Sequence, residues 1–240
     1  MYAYAKSLKG KNISVNGDFF VTDTIGDYTV LIIADGFGGD ETLMNIGATP
    51  SGIVMDYLER AILNKPDITP EQLKGQMVDG LYAASRAMRT LNGIDPRYRG
   101  ACASIACLAI SNLSNKMAHA SVGNCEIQLW RNGQFVRLNQ LHTAAFEKLE
   151  KGKIKEADYY TQPDRNLITS GIGLMDEIKI SAHAGSLREG DVIIMSSDGV
   201  YQYMTPGDVM ESLAQSQTPT EGEDKMLEKI NDFDNTDNST

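Results

Sequence analysis

Apolar blocks of strand length punctuate the chain. "YTVLIIAD" (28–35) is β-branched and apolar, bounded by Gly26-Asp27 and by Gly36. "ACASIACLAIS" (101–111) mixes small and apolar residues and suits a strand buried on both faces. "KMAHASVG" (116–123), "EIQLWR" (126–131) and "QFVRLN" (134–139) follow at short intervals, separated by Asn115, Gly123-Asn124 and Asn132-Gly133. Asn-Gly between two such blocks predicts a tight hairpin, because both residues tolerate positive φ. "IKISAHAG" (178–185) and "DVIIMSSDG" (191–199) are expected to form another pair across "SLREG".

Helical spacing appears between and after these blocks. Thr69-Pro70-Glu71-Gln72 supplies a cap, a first-turn proline and a capping-box glutamine, and Leu73, Met77, Leu81, Ala84 and Met88 then recur at helical intervals. Ile53, Val54, Tyr57, Leu58, Ala61 and Ile62 mark an earlier helix after Thr49-Pro50. Thr205-Pro206 starts a third, with Val209, Met210 and Leu213 inward, and "EDKMLEKI" (223–230) suggests a fourth. Helices grouped between hairpin-linked strands predict an α+β fold, with helices covering antiparallel sheet. Residues 140–170 are polar and partly helical, a flap or an insertion.

Composition narrows the function. The 240 residues suit one large domain or two small ones, and 42% hydrophobic content is ordinary for a packed core. With 22 basic and 32 acidic residues the net charge is −10, which argues against a nucleic-acid surface and permits divalent cations. Residues 221–240 carry seven acids and two lysines, half of that charge. No stretch approaches the length of a membrane span, and "MYAYAKSLKGK" lacks the apolar segment of a signal peptide. Cys102, Cys107 and Cys125 are odd in number and lack metal-type spacing. A monomer of a reducing cytoplasm is expected.

The candidate chemistry is carboxylate chemistry. "VLIIADG" delivers Asp35 and "VIIMSSDG" delivers Asp198, each read as the tip of an apolar strand turned by a glycine. Asp18 in "VNGDFF" and the acids of "NDFDNTDNST" add further stations, with almost no cation nearby in sequence. Carboxylates gathered without cations repel one another and resist ionisation. A pair of hard divalent ions removes that repulsion and can activate a bridging water for attack on phosphorus.

With those motifs in order, the chain resembles the metal-dependent protein phosphatases (PPM family, type 2C) over nearly its whole length. Asp18 matches the aspartate of the first Asn-x-Asp motif, and Asp35-Gly36-Phe37-Gly38-Gly39 resembles the Asp-Gly-x-Gly-Gly signature. Gly100-Ala101-Cys102-Ala103, "ASVGNCEIQLWRNGQ", "LITSGIG", "MSSDGVYQYMT" and Asp237-Asn238-Ser239-Thr240 are similar to later motifs in the right order. The resemblance implies a four-layer α-β-β-α sandwich with two central antiparallel sheets, a single domain over 1–240 and a flap over about 141–170. It implies two Mn²⁺ or Mg²⁺ ions and direct hydrolysis of phosphoserine or phosphothreonine in proteins. By position, Asp35 would bridge the ions and the Gly36 carbonyl would bind one. Asp198 and Asp237 would complete one metal site, and Asp18 would serve the other.

Departures from the family pattern sharpen these expectations. Gly17 stands where Glu or Gln is common, and Phe37 where some members carry histidine. The family's phosphate-gripping arginine is missing, with Lys11 or Lys9 as the nearby substitute. Asn124 replaces an aspartate that holds a third metal in bacterial members, so a third site should be weak or absent. The family's last strand, after Asp-Asn-x-Thr, has no counterpart here. His142-Thr143 begins the flap and is expected to face the site. The three histidines lie far apart in sequence, so no zinc site is expected. Asp232 and Asp234 start a calcium-loop pattern that then fails. A pseudophosphatase, which keeps the fold and binds metal or a partner without turnover, is the alternative from another class.

Overall fold

The structure is a computed structural model and describes residues 3–40, 42–43, 45–233 and 235–240. Two antiparallel sheets face each other. The first has five strands in the order β1-β2-β3-β4-β7, formed by Phe19–Ile25, Tyr28–Phe37, Cys102–Ser111, Lys116–Val122 and Ser181–Ser186. The second has the order β6-β5-β8, formed by Gln134–Arg137, Glu126–Arg131 and Val192–Ser196. Helices α1 (Ala48–Asn64) and α2 (Pro70–Ile94) cover the outer face of the first sheet. Helices α5 (Pro206–Ala214) and α6 (Pro219–Asp232) cover the second, packing with the short α4 (Asp198–Tyr203). The architecture is the expected four-layer α-β-β-α sandwich.

The alternation along each strand explains the layers. On β3, Ala103, Ile105, Cys107 and Ala109 turn toward the α1/α2 layer, while Ala106, Leu108 and Ile110 turn toward the second sheet. Every residue of β3 is buried, as its small-residue composition predicts. Between the sheets, Ile33, Ala106, Cys125 and Ile127 meet Phe20, Leu138, Ile193 and Met195. The Thr69–Gln72 capping box starts α2 as expected, and a second box, Thr205–Asp208, starts α5. Such a cap contributes about 1 kcal/mol. Asn132 and Gly133 both adopt positive φ at the β5–β6 turn, as the hairpin signal requires.

Several expectations are corrected. β7 and β8 do not pair: β7 joins β4 and β8 joins β5, so "SLREG" is a crossover between sheets rather than a hairpin turn. The alternating pattern could not distinguish these, because each strand buries one face whichever neighbour it finds. Asp35-Gly36 does not end a strand: β2 runs to Phe37, with Asp35 opposite Ser104 and Gly36 opposite Ala103. Asp198 is the first residue of α4 rather than a strand tip. Finally, β7 begins at Ser181, three residues later than expected, and α1 begins at Ala48, with Pro50 in its first turn.

Candidate metal centre between the sheets

Four segments distant in sequence deliver aspartates to one end of the sandwich. Asp18 precedes β1, Asp35 lies in β2, Asp198 opens α4, and Asp237 lies in the segment after α6. Asp35 is within hydrogen-bonding reach of both Asp198 and Asp18, and the charge of Asp237 is felt by all three. Asp35 and Asp198 keep some surface open at the mouth of the site, whereas Asp18 is buried. Burial, then the charges of Asp198, Asp18 and Asp237, push the Asp35 carboxyl well above the usual range. Burial raises Asp198 to about 7, with the charges of Asp237 and Asp18 adding to it. Asp18 rises to about 6, again chiefly through burial, against the hydrogen bonds from Ser197 and Thr240. Among the described residues the leading influences on each of the three are burial, the other acids and neutral hydrogen-bond donors, with no cationic side chain among them.

Neutral donors orient the acids. Ser197 Oγ and Thr240 Oγ1 both donate to Asp18 Oδ2, at 2.8 and 2.9 Å. Asn124 Nδ2 donates to Asp198 Oδ2 at 2.9 Å, and Ser104 Oγ donates to Asn124 Oδ1 at 2.6 Å. Gln202, one turn along α4, donates to Asp237. Sequence reading missed Ser197, Ser104 and Gln202. Ser197 carried a signal by standing next to Asp198, whereas Ser104 carried none, since only strand pairing brings it opposite Asp35.

The backbone packs without side chains at this point. A Cβ on Gly17 would lie 2.0 Å from the Gly36 carbonyl oxygen, and a Cβ on Gly36 would lie 2.5 Å from the Gly47 amide nitrogen. Glycine at position 17, a departure from the family pattern, is therefore required by the approach of β2 to the segment before β1.

The other expected site residues have different partners. Lys11 Nζ donates to the Phe233 carbonyl at the end of α6 (2.7 Å), not to any carboxylate of the centre. His142 Nδ1 accepts from the Gly123 amide at 3.0 Å, and the His142 amide donates to the Gly123 carbonyl at 2.8 Å. Burial, with the nearby Lys179 charge, lowers His142 to about 4, so the ring is neutral. Thr143 caps the flap helix α3 (Ala144–Glu150) by accepting from the Phe146 amide. His142 thus fastens the flap base to the Gly123-Asn124 turn, and Thr143 starts the flap helix. Farther along, Arg137 reaches Glu126, Glu156 and the Tyr160 hydroxyl beneath the flap. Asp232 closes α6, and Asp234 lies outside the described residues.

The donor set fits a hard divalent ion: carboxylate oxygens with a neighbouring backbone carbonyl, and no sulfur or imidazole among them. Among the described residues no three His, Cys, Asp or Glu side chains form a ready-made cage around one point.

Fold and site together resemble the PPM-type phosphatases, with carboxylates gathered at one end of the sandwich. No family model matches the chain. Among curated proteins, the phosphatase PhpP of Streptococcus pneumoniae is 27% identical over 183 residues, covering 76% of this chain and 72% of that protein. A putative 2C-type protein phosphatase of Streptococcus pyogenes is 25% identical over 224 residues, 92% of this chain and 88% of that protein. Of solved structures, the serine/threonine phosphatase of Streptococcus agalactiae superposes with a TM-score of 0.83 at 23% identity, covering 98% of this chain and 94% of that one. The catalytic domain of PstP, solved with two manganese ions, gives 0.77 at 18% identity over 98% and 93% of the two chains. The resemblance read from the motifs thus holds in sequence and in fold.

Proposed function

We propose that this chain is a Mn²⁺- or Mg²⁺-dependent phosphatase of phosphoserine and phosphothreonine in proteins. The observation that carries the proposal is the convergence of Asp18, Asp35, Asp198 and Asp237, with three raised carboxyls and, among the described residues, no cation among the leading influences on them. Such a cluster is costly unless divalent ions neutralise it. When bound, the ions supply Lewis acidity and an acidified water positioned for in-line attack on phosphorus.

The residues divide the work by position. Asp35, reached by both Asp18 and Asp198, would hold the ions together with the Gly36 carbonyl, and Asp198, Asp237 and Asp18 would complete their ligation. Ser197 and Thr240 fix Asp18, while Asn124 and Ser104 fix Asp198. Asn124 brings an amide where the third-metal aspartate would stand, so the proposal is for two ions. The relatives' printed names as phosphatases support turnover, and no observation favours a binding module without it.

The three cysteines are free and buried, which suits a single chain working in a reducing compartment. Among the described residues no helix is long and apolar enough to cross a membrane.

Hydrolysis of a phosphothreonine peptide with Mn²⁺, with chelator, and in Asp198→Ala tests the proposal. Metal-dependent turnover that collapses in the variant is expected. Absence of turnover in the wild-type protein at saturating Mn²⁺ would refute it.

A further inference from the structure

Two histidines far apart in sequence meet across a strand pair. β4 and β7 are neighbours, and their register sets His119 directly opposite His183. The ring centroids are 5.9 Å apart and the planes are tilted by 45°. His119 is 0% exposed, and neither of its ring nitrogens has a hydrogen-bond partner. His183 is exposed, so the pair is open to solvent on one side.

A neutral imidazole always carries one N–H donor and one lone pair. Leaving buried polar groups of this kind unpaired costs about 1–3 kcal/mol each. The neighbouring hydroxyls are turned elsewhere and neither bonds a His119 nitrogen: Ser121 Oγ accepts from Asn139, and Ser181 Oγ accepts from the Gln140 amide. On the β3 side, His119 faces Leu108, which offers no partner. Burial, with His183 alongside, lowers His119 to about 4, so the ring is held in the neutral form that ligates metals.

The spacing suits a shared ion. Imidazole nitrogens bind Zn²⁺ at about 2.0–2.1 Å, which puts two rings on one ion with centroids roughly 5–6.5 Å apart. The next pair along the same face is Met117 opposite Gly185. Glycine there leaves room: a Cβ on Gly185 would lie 3.3 Å from His183 Nε2 and 3.7 Å from the Met117 methyl. The His183 ring and the Met117 methyl thus border the same space over Gly185, and Met117 carries a thioether, a soft donor.

We propose that His119 and His183 form a second metal site, for a borderline transition ion such as Zn²⁺ or Cu²⁺, with Met117 at its side and water completing it. His119 lies five residues before Asn124, on the order of 15 Å along extended chain, and the donors are nitrogen rather than carboxylate oxygen. An ion here clamps edge strand β7 onto β4.

The test uses the full chain and Cu²⁺ as the probe, read by electron paramagnetic resonance. One equivalent is expected to give a signal split by imidazole nitrogens, which the all-oxygen carboxylate centre cannot produce. Zn²⁺ at a hundredfold excess over its Kd is expected to raise Tm by about 5–10 °C. His183→Gln, at an exposed position that leaves the fold intact, should remove the two-nitrogen splitting pattern and reduce the Zn²⁺ shift, with Mn²⁺-dependent turnover unchanged. Cu²⁺ bound through oxygen alone in the wild-type protein, or a two-nitrogen pattern that survives in His183→Gln, would overturn the site.

Discussion

Asn124 holds Asp198 through a 2.9 Å hydrogen bond, and Ser104 fixes the amide that makes it. The donor is neutral, so it orients the carboxylate without competing for it as a cation would. Removing a partner that orients a metal-binding side chain typically costs about 10–100-fold in metal affinity or activity. Asn124→Ala is expected to lose turnover in that range, with a raised Mn²⁺ requirement. A Mn²⁺ titration of kcat checks it, and an unchanged profile would deny Asn124 this role.

The raised carboxyls set the pH dependence of the metal-free protein. Asp18 and Asp198 titrate near 6 and 7 when folded, against an ordinary value of 3.8. Between about pH 4 and 7 these two carboxyls bind more protons in the folded state than in the unfolded chain, so their contribution to stability falls as pH rises through that window, while His119 and His142, lowered to about 4, contribute the opposite slope below about pH 6.5. In the presence of chelator, the urea midpoint of the wild type relative to Asp198→Asn should therefore be higher at pH 5 than at pH 7.5. Saturating Mn²⁺ should diminish or reverse the trend.

Asp35→Asn separates stability from function. The change keeps the shape of the side chain and removes a charge that burial and three acids oppose. Each unit of pKa displacement corresponds to about 1.4 kcal/mol. The metal-free variant is expected to melt several degrees above wild type while losing Mn²⁺-dependent turnover. A calorimetric scan beside the peptide assay reads both effects, and a lower Tm in the variant would contradict the repulsion invoked here.

Beneath the flap, the Arg137 and Glu126 side chains are only 9% and 4% exposed and form an ion pair. The Arg137 guanidinium also lies 4.8 Å from the centre of the Tyr159 ring. Breaking one side of a buried pair costs about 3–5 kcal/mol, because the other charge is left unpaired. Arg137→Ala should destabilise the protein by that amount and admit protease first within 141–170. Limited proteolysis with mass spectrometry locates the cut.

The layered fold was legible because β3, α1 and α2 each advertise their buried face, through small residues on one and helical spacing on the others. The aspartates were legible only as a set, since each alone reads as a turn or cap. What stayed hidden depends on which strands become neighbours. β7 leaves β8 for β4, and that choice creates the His119–His183 contact that sequence separation had argued against. Lys11 illustrates a different limit: its charge was visible, but the carbonyl at the end of α6 that claims it was not.

Gly17 against Gly36 carries a consequence for heredity. Where backbone meets backbone at this distance, no inherited side chain at position 17 or 36 can be fitted without parting two strands of chain. Change among descendants of this protein is therefore channelled to Phe37 and the flap, where side chains can be exchanged. Divergence in substrate preference should accumulate there while the two glycines stay fixed.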